Sequence, residues 1–230
     1  MTGILTVTLN PALDFSAEAE TIRPTRKCRT FNEQQEPGGG GINVARVVNA
    51  LGGEAEAVFV AGGESGDLLD RLLEEQGIRR RRVTSPGMTR IGFTVREMTT
   101  GLEYRFVPEG PPITAEAIEA CLDAVAGHDG RYVVASGSLP VGAPSDVYAR
   151  MAGLTAARGA KLVLDSSGEG LRATLEAAPV YLMKPSIGEL EQFVGGKLDV
   201  EGASRAAAEI VAKGMAEIVA VTLGADGAIV

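Results

Sequence analysis

The stretch Glu36-Pro37-Gly38-Gly39-Gly40-Gly41-Ile42-Asn43 leads into an amphipathic helical run over residues 44–51 that stops at Gly52-Gly53. Four glycines ahead of a helix remove every Cβ from a turn at the helix's positive end. Free N–H groups and the helix dipole there favour a polar or anionic ligand. Asn43 stands in the first turn with an amide that can both donate and accept. The spacing is neither that of a phosphate-binding loop closed by Lys-Ser/Thr nor that of a dinucleotide fingerprint. A glycine run alone is equally well a flexible turn from strand to helix, so its meaning depends on its surroundings.

Outward from this turn, apolar runs of strand length alternate with amphipathic stretches. Strands are expected at residues 4–9, 57–61, 132–136, 161–165, 180–184 and 218–223, and helices at 42–51, 67–76, 115–126, 145–158, 187–194 and 204–213. Near-continuous apolar strands separated by helices predict an α/β fold with a mostly parallel sheet covered on both faces. In such sheets ligands bind beyond the carboxyl ends of the strands. One region breaks the alternation. Residues 91–97 and 102–107 alternate polar and apolar with no helix between, and Gly101 suits the left-handed turn position of a β-hairpin. Residues 14–33 are also β-like. Together these pieces predict a small separate sheet, a flap over a single domain spanning 1–230, with its segments near 14–35 and 88–108.

The bulk properties set limits. In 230 residues, 45% hydrophobic and 23% charged, the formal charge is −8. That argues against nucleic acid or a membrane surface as partner, because either favours a basic face. Cys28 and Cys121 stand far apart, in no metal-like spacing. No run approaches the ~18 unbroken apolar residues of a membrane span, and the N-terminus has neither the basic region nor the apolar length of a secretory signal. A cytoplasmic protein is expected. The single histidine, His128 in Gly-His-Asp-Gly, is expected in a surface turn before a strand, on the wrong sheet edge for a Ser-His-Asp hydrolase. Residues 79–82, four arginines, read as a solvated turn.

The stretch EPGGGGINVAR at 36–46 resembles the first signature region of the PfkB carbohydrate kinases, in the hexose-phosphate branch. Further matches follow in the family's order: Leu9-Asn10-Pro11-Ala12-Leu13-Asp14, Thr89-Arg90, Tyr104-Arg105-Phe106, Ser136-Gly137-Ser138-Leu139-Pro140, Asp165-Ser166-Ser167-Gly168, Lys184-Pro185 with Glu189-Leu190, and Thr222-Leu223-Gly224 with Gly227. The resemblance covers essentially the whole chain. It implies a ribokinase-like three-layer α/β/α sandwich with a β-sheet lid. The activity implied is ATP- and Mg²⁺-dependent phosphorylation of a ketohexose phosphate. The DSSGEGL and YRFVPEG stretches favour fructose 6-phosphate, with tagatose 6-phosphate or fructose 1-phosphate as alternatives.

The resemblance also assigns roles by position. Asp14, Gly38, Gly39, Gly40 and Asn43 are expected on the sugar, and Ser138 on a sugar oxygen or the sugar's phosphate. Arg90 and Arg105, with a further contact from Lys27, are expected on its phosphate, which suits the forked, permanently charged guanidinium. Lys184, Ser186, Glu189, Thr222, Gly224 and Gly227 are expected around ATP, Glu189 organising Mg²⁺ through water. The family usually has Asn where this chain has Ser186. A hydroxyl reaches less far, and Ser186 with Glu189 three residues on also reads as a helix capping box. The family's Gly-Ala-Gly-Asp, which opens a helix at the transferring phosphoryl group and supplies the general base, is absent from residues 1–230 and is expected beyond Val230 with the last part of the fold. A chain ending there is expected to bind sugar phosphate weakly and not to turn over. A sensor that keeps the ligand site without the chemistry is the alternative of another class. A homodimer through the flap is expected.

Overall fold

The computed structural model describes residues 3–230. In chain order its strands are β1 (Ile4–Thr8), β2 (Ala12–Ala19), β3 (Thr30–Gly38), β4 (Ala55–Ala61), β5 (Arg79–Thr84), β6 (Arg90–Glu97), β7 (Glu103–Phe106), β8 (Tyr132–Ser136), β9 (Lys161–Asp165), β10 (Val180–Met183), β11 (Ala216–Val219), β12 (Val221–Thr222) and β13 (Ala228–Ile229). The helices are α1 (Gly40–Ala50), α2 (Gly63–Glu75), α3 (Ala115–Ala126), α4 (Val147–Ala156), α5 (Gly168–Ala177), α6 (Ile187–Val194) and α7 (Val200–Ala212).

Seven strands form one parallel sheet in the order β11-β10-β9-β8-β1-β4-β5. The chain begins in the middle, runs outward through β4 and β5, then returns to β8 and runs outward the other way. Right-handed crossovers put the helices of the two excursions on opposite faces. One apolar cluster joins Ile42 and Ala45 of α1, Phe59 of β4 and Leu69 and Leu73 of α2. A larger one joins β1 and β8 to α3 through α7, with Tyr148, Met151, Leu164 and Leu171 fully buried within it. The α/β/α sandwich expected from the alternation is thus present. A separate sheet in the order β3-β2-β6-β7 makes the flap. Its β6–β7 hairpin is antiparallel as expected, and β2 pairs with β6 in parallel, residue for residue from Ala12↔Arg90 to Ala19↔Glu97.

Several elements differ from the sequence reading. Residues 79–84 are a strand, the sheet's edge. Its arginines alternate sides, and each finds acid: Arg80 on Asp70 at 2.7 Å and Arg82 on Asp67 at 2.6 Å on α2, Arg81 on Glu56 of β4 at 3.1 Å. Charges on an edge strand block further pairing. Residues 168–177, left without structure by the periodicity, form α5. The expected last strand at 218–223 starts two residues earlier and breaks into β11 and β12. His128 is buried, only 7% exposed, and burial together with the charge of Arg158 holds its imidazole below the ordinary range. Pro37 and Gly38 end a strand and Gly40 and Gly41 open the helix, so the glycine turn narrows to Gly39. Among the described residues no helix is long and apolar enough to cross a membrane.

Candidate active site

Strands β1 and β8 lie side by side, and the chain leaves them in opposite directions. Such a switch point opens a crevice at the carboxyl edge of the sheet. The first turn of α1 is seated there by its glycines. A Cβ on Gly41 would lie 2.6 Å from Thr8 Oγ1, and one on Gly40 would overlap Ser136 Oγ at the end of β8. Gly39 adopts φ 122°, open to glycine alone, against Thr8 and Pro11. The Ile42 N–H donates to Thr8 Oγ1 at 3.1 Å. The glycine run is therefore a packing device, and what it packs is a helix N-terminus onto the switch point.

Asp14 sits at the near end of β2, flanked by Gly38 and Gly92. A Cβ on Gly38 would overlap its carboxylate, and one on Gly92 would come within 2.7 Å of Oδ1. Burial pushes the Asp14 carboxyl above the ordinary range; the charges of Arg90, Arg105 and Arg46 oppose this, and cross-strand Glu36 reinforces it. Arg90 donates to three backbone carbonyls, Asn10 at 2.8 Å, Pro108 at 3.0 Å and Pro11 at 3.3 Å. Of its five N–H donors, two are left over. The guanidinium is fixed between the end of β1 and the loop after β7 with its charge on Asp14, and burial lowers its pKa. Arg105 is exposed on β7, opposite Thr94. Ser138 is exposed two residues beyond β8, where the Tyr148 hydroxyl holds the turn by donating to Gly137 O at 2.9 Å.

Two expected residues make no direct hydrogen bond to Asp14, Arg90 or Ser138. The Asn43 side chain is exposed on α1 and accepts from Arg46 Nη1 at 3.5 Å. Lys27 lies in the loop between β2 and β3, past the far end of β2. Five residues of strand, about 17 Å at ~3.3 Å per residue, separate Asp14 from Ala19, so the fold does not bring Lys27 to Asp14 of its own chain.

The residues expected around ATP gather along β9 to β12. Lys184 Nζ pairs with Asp165 Oδ1 at 3.1 Å, while Asp165 Oδ2 accepts from Ser136 Oγ at 3.0 Å. Asp165 belongs to a matched motif but carries no role expected from the sequence; its place at a strand end beside Gly-rich turns is the signal that marks it. Ser186 caps α6. Its N–H and O–H both donate to Glu189 Oε2, at 2.7 and 2.9 Å, and the Glu189 N–H returns to Ser186 Oγ at 3.3 Å. The capping box is real, and Oε1 is the oxygen of Glu189 that Ser186 leaves free. Thr222 joins this group through its N–H on Pro185 O at 2.9 Å. Gly224 and Gly227, φ 66° and 99°, turn the β12–β13 hairpin beside the start of α6. The site thus has an anion-suited half at the flap and a second half at Lys184 and the hairpin, joined through Asp165 and Ser136.

The chain is 44% identical over 229 residues to the ATP-dependent 6-phosphofructokinase isozyme 2 of Mycobacterium tuberculosis, covering 98% of this chain and 67% of that protein. It is 36% identical to the isozyme 2 of Escherichia coli, covering 100% of this chain and 75% of the relative. The crystal structure of Escherichia coli phosphofructokinase-2 in complex with fructose-6-phosphate superposes with a TM-score of 0.93 over 99% of this chain and 76% of that one. The model of the pfkB family carbohydrate kinases matches residues 6–230. With the switch-point crevice, the flap and the glycine-seated helix all in place, the chain belongs to the pfkB family of carbohydrate kinases.

Proposed function

We propose that this chain carries the sugar-phosphate and ATP sites of a 6-phosphofructokinase that converts fructose 6-phosphate to fructose 1,6-bisphosphate. The observation that carries the reading is Asp14: a carboxylate clasped between two glycines, at the switch point, under the charges of Arg90 and Arg105. A carboxylate can accept from two sugar hydroxyls, and arginines beside it suit a phosphate monoester. A neutral sugar would need no such cations. The names of the relatives in Mycobacterium tuberculosis and Escherichia coli support the same substrate.

In this reading Asp14 and Ser138 orient the sugar, Arg90 and Arg105 hold its phosphate, and the N-terminus of α1 favours negative charge in the crevice. The flap, residues 14–35 and 88–108, acts as a lid that excludes water within a single domain. Lys184, Thr222, Gly224 and Gly227 hold the nucleotide. Among the described residues no cluster of three or more His, Cys, Asp or Glu could hold a metal by itself. Glu189, with one carboxylate oxygen already engaged, fits a Mg²⁺ carried by ATP and contacted through water. That ion would offset phosphate charge during transfer. Two copies pack through their flaps, and the setting is cytoplasmic.

The test is Mg²⁺-dependent ADP release by the purified chain with fructose 6-phosphate, tagatose 6-phosphate and fructose 1-phosphate, with calorimetric titration of each sugar on the same sample. Turnover of, or preferential binding to, fructose 6-phosphate supports the reading. Binding without ADP release assigns the chain a binding role alone. No binding of any of the three sinks it.

A further inference from the structure

Arg46 is an arginine on the outward side of α1, where such a residue ordinarily extends into water. Here it does not. Its Nε donates to Gln76 Oε1 at 2.8 Å, at the end of α2. Its Nη1 donates to Pro37 O at 3.2 Å, at the end of β3, and to Asn43 Oδ1 at 3.5 Å, one turn back on α1. Its Nη2 pairs with Glu36 Oε1 at 3.4 Å. Four acceptors from three elements converge on one guanidinium that is only a quarter exposed. An isolated exposed ion pair is worth ~0–1 kcal/mol, but a planar fork satisfied on several edges fixes the geometry of everything it touches.

What it touches is the frame of the sugar site. Pro37 O precedes Gly38, the glycine whose missing side chain makes room for the Asp14 carboxylate. Glu36 is the cross-strand neighbour of Asp14, so pairing Glu36 with Arg46 removes an uncompensated negative charge from beside the sugar-binding carboxylate. Asn43 is held by its amide oxygen, which leaves the amide N–H₂ free to donate. We propose that Arg46 is a positioning residue for the sugar-phosphate half of the site: it locks the end of β3, the first turns of α1 and the end of α2 so that Gly38, Asp14 and Asn43 keep their mutual geometry. This rests on the sugar-kinase reading above and adds to it a residue that need not contact substrate. The nucleotide half, at Lys184 and the β12–β13 hairpin, has no contact with Arg46.

Calorimetric titration of fructose 6-phosphate and, separately, of MgATP into the wild-type chain, Arg46→Ala and Arg46→Lys tests it, with urea denaturation of each. The expected result for Arg46→Ala is a fructose 6-phosphate Kd raised about tenfold, with the MgATP Kd within about twofold of wild type. Arg46→Lys keeps the charge but offers one ammonium in place of a four-point fork. Its sugar-phosphate Kd should stay raised at least about fivefold. Wild-type sugar affinity in either variant, or an equal loss of both ligands, overturns the inference; full recovery in Arg46→Lys would show that charge alone matters. If Arg46→Ala does not fold, Arg46→Lys decides by itself. A wild-type chain that binds neither ligand overturns the kinase reading and this inference with it, whereas a binding wild type with unaffected variants overturns this inference alone.

Discussion

Asp14 shows what a carboxylate at the switch point costs the fold that presents it. Burial raises its pKa from 3.8 despite three nearby arginines. The folded state therefore holds the Asp14 proton more tightly than the unfolded state does. Below pH 3.8 the carboxyl is protonated in both states and costs nothing. As pH rises through the folded-state pKa that proton must be released, so stability falls and stays lower up to neutral pH. Asp14→Asn removes the charge and keeps the shape. It should raise the urea midpoint at pH 7 only slightly, because Asp14 is exposed and solvent screens its charge, and give no gain at pH 3. Fructose 6-phosphate binding should be lost in the same variant. A lower midpoint at pH 7 would mean that Asp14 is held by its arginines as a net stabilising ion pair.

At the scale of elements, Glu97 and Ser186 each close a turn. Glu97, buried at the end of β6, accepts from the Ile22 N–H at 2.7 Å, the Thr100 hydroxyl at 2.6 Å and the Tyr104 hydroxyl at 3.4 Å. These bonds, the Thr100 one foremost, hold its carboxyl below the ordinary range. Its stabilising effect is present above pH 4.5 and is lost as pH falls through the lowered folded-state pKa. Glu97→Gln should therefore speed amide exchange in residues 20–29 and 98–103 at pH 7 and leave the seven-stranded sheet unchanged. Faster exchange spread through β1 and β8 would show that the flap is not an independent unit. Ser186→Ala removes a helix cap and should cost about 1 kcal/mol of stability by chemical denaturation. An unchanged midpoint would mean that the Glu189 carboxylate alone suffices.

The elements that the sequence made legible are those where pattern and packing agree. The apolar strands, except the last, and the hairpin at 91–107 fall where alternation puts them, and the capping box at Ser186 is visible from its spacing. Strand β5 was illegible because its evidence is tertiary: four arginines read as solvated until α2 and β4 supply Asp67, Asp70 and Glu56. Helix α5 was hidden by Ser166-Ser167-Gly168, which reads as a loop, although Ser167 and Gly168 in fact open a helix. The resemblance names the residues expected around the sugar, but it gives no reason for each glycine. That reason is a neighbour remote in sequence, Asp14 for Gly38 and Ser136 for Gly40.

At the scale of the molecule, the flap has two unlike faces. Register puts Asp14, Gly92 and Glu36 in one row, with Ser16, Thr94, Gln34 and Arg105 in the next row on the same side. The alternate row carries Phe15, Phe93 and Phe106 side by side. Phe15 and Phe93 stack at 5.6 Å, while Phe93 and Phe106 remain 49% and 62% exposed. Adjacent aromatic rings open to water fit the flap-to-flap contact proposed above, and a twofold pairing of flaps would bury them on both copies at once. Burying one Phe side chain is worth at least about 1.5 kcal/mol. A twofold axis counts it twice, so losing it costs about 3 kcal/mol, more than a hundredfold in Kd. Phe106→Asp should accordingly convert a dimer with a micromolar Kd into a monomer at tens of micromolar protein in sedimentation velocity, with the far-ultraviolet dichroism unchanged. Phe31→Asp, a substitution at a residue 40% exposed outside the stacked row, should shift the equilibrium far less. A wild-type chain that sediments as a monomer at those concentrations, or a Phe106→Asp chain that remains a dimer, would place the contact between copies somewhere other than the flap.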